Sequence, residues 1–166
     1  STGIYEMSHI LYGGVFVKET KAPEGFLLDE NAYYVEITEN GKIYEVENEA
    51  GIGFTNMAQT GSLRIEKTSS DGQVEGFSFR VTGANGYDQT FKTDKNGEMF
   101  IEGLRVGDYT ASEVSDGASA NYVLPADKKV TILADKTTVA QMHNELRDTP
   151  KTGDDSKPWL WAALMG

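Results

Sequence analysis

The sequence predicts an all-β protein, an antiparallel β-sandwich made of tandem copies of one domain. Three observations lead to this prediction. Apolar residues between positions 61 and 147 alternate with a period of two, as they do in strands that bury one face. Turn-forming residues interrupt these stretches every few positions. No stretch before residue 156 has the apolar stripe of an amphipathic helix.

Candidate strands follow one another at short intervals. They cover residues 62–68, 77–82, 88–93, 98–101, 108–114, 129–134 and 137–145. Turn signals separate several of them, at Ser70-Asp71-Gly72, Asn85-Gly86, Asn96-Gly97 and Val106-Gly107-Asp108. About seven short strands in roughly 87 residues are typical of an antiparallel sandwich.

The segment Asp94-Lys95-Asn96-Gly97-Glu98 also resembles a fragment of a calcium loop. A calcium loop needs a later bidentate glutamate at fixed spacing, and we therefore interpret the segment as an Asn-Gly hairpin turn. His9 and His143 have no Ser, Asp or Cys partners at interpretable positions, and His143 is expected on the exposed face of its strand. No metal site and no cofactor are predicted.

An internal repeat divides the chain. The segment GIYEMSHILYGGVFVKE, which ends at Glu19, aligns without a gap with GEMFIEGLRVGDYTASE, which ends at Glu113, 94 positions later. Downstream, the alternating residues Ile52, Phe54 and Asn56 predict a strand. They correspond to Ala140, Met142 and Asn144 after a short insertion or deletion. Such a match predicts tandem copies of one domain.

The repeat sets the expected domain boundaries. Residues 1–60 correspond to the C-terminal half of a first domain, residues 61–147 to a complete second domain, and residues 148–166 to a tail. The counterpart of Lys67 in the first copy would lie before residue 1. Residues 1–60 are therefore expected to be poorly stable alone, because half a sandwich exposes an unpaired edge and an unfilled core face.

Three polar residues occupy positions where the strand pattern demands apolar ones. Lys67 follows Leu63 and Ile65 on the inward face of the first strand. Glu113 follows Tyr109 and Ala111 in the same way, and Asn144 lies between Met142 and Leu146. All three side chains would therefore point into one core.

A buried amine, carboxyl and carboxamide in contact can condense to a Lys–Asn isopeptide bond with loss of ammonia. Burial favours the neutral forms of Lys67 and Glu113, so that the amine can attack while the acid hydrogen-bonds the carbonyl. Each residue taken singly also fits an ordinary role, a cross-strand Lys–Glu pair or a turn-forming asparagine. The shared inward register favours the bond.

Composition narrows the function classes. The formal net charge is −11 and the pI is near 4.6, which argues against nucleic-acid or anionic-membrane binding through a basic surface. The chain has no cysteine, which excludes disulfides and thiolate sites. A turnover enzyme is not expected, because the crosslinking trio is the one nucleophile–base set that the sequence suggests.

The chain resembles the Cna protein B-type (SpaA-type) domains of Gram-positive surface adhesins and pilins. The resemblance rests on VFVKETKAPEGFLL at 15–28, which is similar to the family's E-box strand, with a looser second copy, YTASEVSDGASANYVLP, at 109–125. GSLRIEKTSSDG at 61–72 resembles the family's first strand, and VAQMHNEL at 139–146 its last strand.

The resemblance implies an Ig-like sandwich and a role for each polar residue. It implies Lys67 as nucleophile, Asn144 as acceptor and Glu113 as proton shuttle. In the first copy Glu19 and Asn56 match the shuttle and the acceptor, while the partner lysine is absent from this chain.

The tail resembles the LPXTG sorting signal that sortases cleave. Thr149, Pro150, Lys151, Thr152 and Gly153 match it, with threonine in place of leucine. By that resemblance, cleavage after Thr152 would join its carbonyl to an amine of the cell-wall peptidoglycan or of a pilus subunit. The apolar run after Lys157 has nine residues, fewer than the roughly 20 of a membrane span.

The expected function is that of a structural stalk module in a cell-wall-anchored, extracellular surface protein, an adhesin or ancillary pilin. Sortase and the peptidoglycan or a pilus subunit are the expected partners, together with a host ligand bound through upstream domains. The alternative is a ligand-binding adhesin module that contacts a host protein or glycan directly.

Overall fold

A computed structural model describes residues 4–148. Twelve strands run in chain order: β1 Gly13–Lys18, β2 Ala32–Ile37, β3 Glu47–Asn48, β4 Gly51–Ile52, β5 Thr60–Ser69, β6 Ser78–Gly83, β7 Tyr87–Lys92, β8 Glu98–Arg105, β9 Gly107–Glu113, β10 Tyr122–Val123, β11 Lys128–Ile132 and β12 Thr137–Leu146. Within these residues, the helical structure is a single 3₁₀ turn, Ala84–Gly86. The prediction of an all-β chain is confirmed.

Two four-stranded sheets form the part of the chain from β5 to β12. One sheet has the order β10-β12-β5-β8, and the other has the order β11-β9-β6-β7. Every pairing is antiparallel except that of β5 with β12, which is parallel. The first and last strands of the sandwich therefore lie side by side and point in the same direction.

Alternating apolar residues of both sheets fill the space between them. The buried apolar residues are Leu63, Ile65, Phe77, Phe79, Val81, Met99, Ile101, Leu104, Tyr109, Ala111, Tyr122, Ile132, Ala140 and Met142. The predicted inward faces of β5, β9 and β12 are among them. Leu146, at the end of β12, departs from the pattern because 44% of it is exposed.

The expected tight turns connect these strands. Asn85 and Gly86 have φ angles of 57° and 74°, the left-handed conformation that an Asn-Gly hairpin turn requires. The Asp94 carboxylate accepts hydrogen bonds from the backbone N–H groups of Asn96 and Glu98, at 2.9 and 2.8 Å. Gly97 adopts a φ of 79° in the same turn. The segment is therefore a tight turn, but the interpretation as a hairpin is wrong, because β7 pairs with β6, β8 pairs with β5, and the turn crosses from one sheet to the other.

The part of the chain before β5 is far more open. β1 pairs with β2, and β3 with β4, in two separate two-stranded sheets. The pairing of Gly13 with Ile37 has the counterpart Gly107 with Ile132 in the β9–β11 pair. The two hairpins therefore share one register. Among described residues 4–60, Asp29 alone is buried.

One strand prediction in this part is wrong. The alternation of Ile52, Phe54 and Asn56 predicts a strand, yet β4 ends at Ile52 and residues 53–56 are not in a strand. We call residues 4–60 the first unit and residues 61–147 the second unit. In the second unit the equivalent residues lie in β12 and pair with β5. Within residues 4–148 no strand pairs with residues 53–56. Their backbone groups therefore have no neighbouring strand with which to form the hydrogen bonds of a sheet.

Contacts at the end of β8 tie the first part of the chain to the second. The Arg105 guanidinium lies 5.2 Å from the centroid of the Phe26 ring. Phe26 also forms a β-bridge with Ala58, and the Val106 N–H donates to the Gln59 carbonyl at 3.1 Å. The division into a truncated and a complete copy stays a prediction.

Candidate functional site

Three strands carry the predicted crosslinking residues into one core. Lys67 lies near the end of β5, Glu113 at the end of β9 and Asn144 near the end of β12. Their exposed fractions are 3%, 8% and 0%, so all three polar side chains are buried as the alternation predicts.

The strand register places the amine and the carboxamide on adjacent strands. Lys67 of β5 is opposite Met142 of β12, and Asn144 is two residues further along the same face. Glu113 reaches the pair from the other sheet, where it is opposite Phe79 of β6. The parallel pairing of β5 and β12 is therefore what makes Lys67 and Asn144 diagonal neighbours.

Glu113 and Asn144 are already in contact. The Asn144 side-chain amide donates to Glu113 Oε1 at 2.6 Å. Glu113 Oε2 and Asn144 Oδ1 are buried without a hydrogen-bond partner within residues 4–148. Glu113 Oε2 is thus free to carry a proton. Asn144 Oδ1, which would become the oxyanion, is free to accept a hydrogen bond.

The Lys67 amine faces an aromatic ring and a backbone carbonyl. Its Nζ donates to the Thr68 carbonyl at 2.6 Å and lies 4.2 Å from the centroid of the Phe77 ring. The structure therefore buries the amine in the same core as Glu113 and Asn144, but its hydrogen bond goes to its own strand.

Burial shifts both titratable groups toward their neutral forms. Desolvation lowers the pKa of Lys67, against the opposing charges of Glu113 and Asp71. Desolvation raises the pKa of Glu113, against the hydrogen bond from Asn144 and the charge of Lys67. A neutral amine and a protonated acid are the forms in which the two groups can act as nucleophile and general acid.

The first part of the chain repeats the acid–amide contact. The Asn56 side-chain amide donates to Glu19 Oε2 at 2.7 Å and to the Leu27 carbonyl at 3.0 Å. The Asp29 backbone N–H also donates to Glu19 Oε2, at 2.9 Å. Glu19 and Asn56 are half-buried. Among residues 4–148 neither has a hydrogen bond or ion pair with a lysine.

A family model described as the SpaA prealbumin-like fold domain matches residues 1–50 and 61–146. These two stretches cover most of the chain. The chain belongs to the SpaA prealbumin-like fold domain family. Both matched stretches contain an acid from the pairs above, Glu19 in the first and Glu113 in the second.

Solved structures of surface proteins are similar to this chain, and those of a minor pilin and of a pilus adhesin fragment share its fold. GBS52, the minor pilin of Streptococcus agalactiae, is 22% identical with a TM-score of 0.50, over 89% of this chain and 66% of that one. A C-terminal fragment of the pilus adhesin SpaC from Lactobacillus rhamnosus GG is 15% identical with a TM-score of 0.53, over 84% and 79%. The Bacillus anthracis TIE protein is 30% identical with a TM-score of 0.49, over 55% and 17%. The chain thus spans less than two thirds of the TIE and GBS52 chains. No curated protein sequence matches it.

Sequence reasoning missed two contacts around the buried Lys67. Phe77 was one apolar residue among many at the start of a predicted strand, and nothing in the sequence marks its contact with Lys67. The contact of Tyr122 with Asp71, described below, depends on β10, which is too short to predict. His143 lies on the exposed face of β12, as expected, and its Nδ1 is 2.8 Å from Thr68 Oγ1.

The remaining features concern anchoring. The predicted sorting motif, Thr149 to Gly153, lies outside the described residues. Within residues 4–148 no helix is long and apolar enough to cross a bilayer.

The described residues, 4–148, contain no cluster of three or more His, Cys, Asp or Glu side chains arranged to hold a metal ion.

Proposed function

We propose that this chain is a structural stalk module of a Gram-positive surface protein, an adhesin or ancillary pilin, whose second unit locks itself with a Lys67–Asn144 isopeptide bond. The observation that carries the proposal is the buried trio of Lys67, Glu113 and Asn144 at the junction of the first and last strands. Lysine, glutamate and asparagine side chains are mostly exposed in folded proteins, because burying a polar group costs free energy. The burial of all three in one core therefore indicates a specific role.

The reaction needs no external reagent. The neutral Lys67 amine attacks the Asn144 side-chain carbonyl carbon, and the protonated Glu113 stabilises the oxyanion. Glu113 then moves a proton from the attacking nitrogen to the amide nitrogen. The bond from the carbonyl carbon to that nitrogen breaks, ammonia leaves, and a secondary amide remains. The step occurs once per molecule and is maturation rather than turnover.

Packing supplies the rate. A carboxamide is a feeble electrophile, but groups held in contact react at effective concentrations of about 10⁵ M or more. Asn144 is fixed by its 2.6 Å hydrogen bond to Glu113, and Lys67 is fixed on the neighbouring strand. Folding therefore provides the free energy that brings the reacting groups together.

The bond lies where a stalk needs it. β5 begins the sandwich and β12 ends it, and the two are parallel neighbours. A pulling force applied at the start of β5 would pass through the covalent bond to β12. The hydrogen bonds between the strands would not carry that force. Fold likeness to a minor pilin and a pilus adhesin fragment supports such a role at the cell surface.

Anchoring through the tail completes the proposal. The motif from Thr149 to Gly153 would be cleaved by a sortase after Thr152. The new Thr152 carbonyl would then be joined to an amine of the cell-wall peptidoglycan or of a pilus subunit.

Single-molecule pulling on the two ends of the chain tests the stalk function. With the bond in place, the 78 residues from Lys67 to Asn144 cannot extend. The contour length gained should therefore be shorter by about 270 Å than in a Lys67→Met variant, at roughly 3.5 Å per residue. Lys92→Met, which changes an exposed lysine of β7, is the matched control and should behave as the parent. Full extension of the parent chain would contradict the proposal.

A further inference from the structure

A tyrosine–carboxylate contact closes the end of the sandwich next to the crosslink. The Tyr122 hydroxyl lies 2.9 and 2.8 Å from the two carboxylate oxygens of Asp71. Asp71 is held in turn by the Ser69 hydroxyl at 2.8 Å and the Gln73 backbone N–H at 3.2 Å. We call the pair of Asp71 and Tyr122 the latch.

The latch contacts the reactive amine through one ring. Tyr122 is 4% exposed, and its ring packs edge-on against Phe77 with centroids 5.3 Å apart. Phe77 is fully buried and lies under the Lys67 amine at 4.2 Å. An unbroken series of contacts therefore runs from Asp71 through Tyr122 and Phe77 to Lys67.

The backbone around Tyr122 is fixed on the strand that carries the acceptor. Tyr122 pairs with Leu146 of β12, two residues after Asn144. The Arg147 side chain donates to the Tyr122 carbonyl at 2.8 Å, and the Tyr122 N–H donates to the Ser119 carbonyl at 3.0 Å. The ring therefore lies near the ends of β5 and β12 that carry Lys67 and Asn144.

We infer that Tyr122, fixed by Asp71, is a positioning residue for the isopeptide reaction: it holds Phe77 against the Lys67 amine and keeps water from it. The inference rests on the proposed crosslink and adds a residue to it. Nothing in the reaction requires Tyr122 to touch the reacting atoms.

The latch is expected to affect the reaction through the protonation state of Lys67. Glu113 of β9 and Asp71 of the turn after β5 both favour the ammonium form, and Asp116 faces Glu113. An aromatic face also attracts a cation. Burial opposes all of these and lowers the pKa of Lys67. If the latch opens, water reaches the amine, the amine becomes protonated and the attack slows.

The rate of ammonia loss tests this in the full chain. Newly synthesised chain is followed by intact mass over time in the parent and in Tyr122→Phe, which removes only the hydroxyl. We expect the variant to react about tenfold more slowly at neutral pH, as for a rise of one unit in the lysine pKa. The ratio of the parent rate to the variant rate, both measured at the same pH, should fall towards one as the pH rises, which a merely structural defect would not show.

Tyr109→Phe is the matched control. Tyr109 is 2% exposed, its hydroxyl donates to the Arg105 carbonyl at 3.0 Å, and its ring pairs with Tyr87. It thus has the same kind of contacts in the same core without touching Lys67. Asp71→Ala, which leaves the tyrosine intact, serves as the second latch variant. It also removes a charge that favours the ammonium form of Lys67, so it should slow the reaction, but less than Tyr122→Phe does. If Tyr122→Phe does not fold, the rate of ammonia loss in Asp71→Ala tests the latch.

A second measurement separates the latch from the crosslink. In an Asn144→Ala chain Lys67 stays a free amine, and its labelling by an acylating reagent reports its exposure. Labelling is measured near pH 10.5, the ordinary pKa of lysine, so that protonation differs little between the chains and the rate reports exposure. Adding Tyr122→Phe or Asp71→Ala should then speed labelling several-fold, by roughly the gain in exposure of the amine, while adding Tyr109→Phe should not. Failure of the parent to lose ammonia would overturn the crosslink but leave this test valid. Equal labelling with and without the latch would overturn the latch.

Discussion

Burial governs what Lys67 and Glu113 can do. In water the two would form an ion pair, worth about 1 kcal/mol or less. In the core, desolvation is the larger effect on both pKa values, and it outweighs the mutual attraction of the charges. The pair is therefore driven toward the neutral amine and neutral acid, which are the reactive forms.

Replacing the acid should separate folding from reaction. In Glu113→Ala the amine and the carboxamide remain, but the proton shuttle is lost, so the chain should fold without crosslinking. The missing covalent loop should lower the free energy of unfolding by about 4.5 kcal/mol, by analogy with a disulfide that closes a loop of similar length. Thermal unfolding should then show a Tm lower by roughly 20 °C or more.

Glu102→Ala, which removes an exposed glutamate of β8, is the control for this measurement. It should keep both the crosslink and the Tm. A Glu113→Ala chain that still loses ammonia would show that the carboxyl is not the proton shuttle.

The rate of crosslinking should depend on pH with a maximum. At low pH both groups are protonated and the ammonium cannot attack; at high pH both are deprotonated and no acid is left. Because the pKa of Lys67 is lowered and that of Glu113 is raised, the maximum should lie between the ordinary values of 4.5 for glutamate and 10.5 for lysine. Ammonia loss followed by mass across this range measures it. A rate that rises steadily with pH would contradict a role for protonated Glu113.

Strands with one buried face could be predicted from alternation because burial forces the period of two. The predicted strand at 62–68 and the observed β5, Thr60–Ser69, illustrate this. β8 runs on to Arg105 beyond the predicted end at 101, since Gly103 adopts a φ of 70° and breaks the alternation. β10 has two residues, and its place is set by pairing with β12, which local sequence does not encode.

The site was predictable for the same reason, and only in part. A polar residue on an apolar face stands out, so Lys67, Glu113 and Asn144 could be found from the sequence. The parallel pairing that makes Lys67 and Asn144 diagonal neighbours is a long-range contact and left no local signal. The Phe77 ring under the amine is an ordinary core residue until its neighbour is known.

The two parts of the chain should differ in stability at the level of their strands. Two-stranded sheets are marginal in water, and Asp29 is the one buried residue among described positions 4–60. Hydrogen exchange should show weak protection in β1 and β2 and strong protection in β5, β9 and β12. Similar protection in the two parts would mean that the first unit is completed by contacts other than these.

On the scale of the whole molecule, one arrangement occurs twice. The β1–β2 hairpin has the register of β9–β11, and Asn56 donates to Glu19 as Asn144 donates to Glu113. In the described residues the second unit adds the lysine-bearing strand β5, which the first unit lacks. We therefore expect the first unit to present an amide acceptor that is prepared for an amine on an added strand.

A lysine-bearing peptide should test this expectation. A peptide with the sequence of β5, Thr60–Ser69, should add as a strand to an open sheet edge of the first unit and place its lysine near Asn56. The expected product is a covalent adduct at Asn56 with loss of ammonia, detected by mass. Asn56→Ala and Glu19→Ala should abolish the adduct, and a peptide with arginine in place of its lysine should not form it. If the β5 peptide binds without forming an adduct, Glu19 and Asn56 have only a structural role.

The most direct test of the central claim is the mass of the folded, purified chain, followed by peptide mapping. We predict a mass lower than that of the full sequence by one ammonia, and a branched peptide that joins Lys67 to Asn144. Lys67→Met and Asn144→Ala should each restore the unreacted mass. A parent chain that folds and keeps the full mass of its sequence would contradict the claim that this core crosslinks itself.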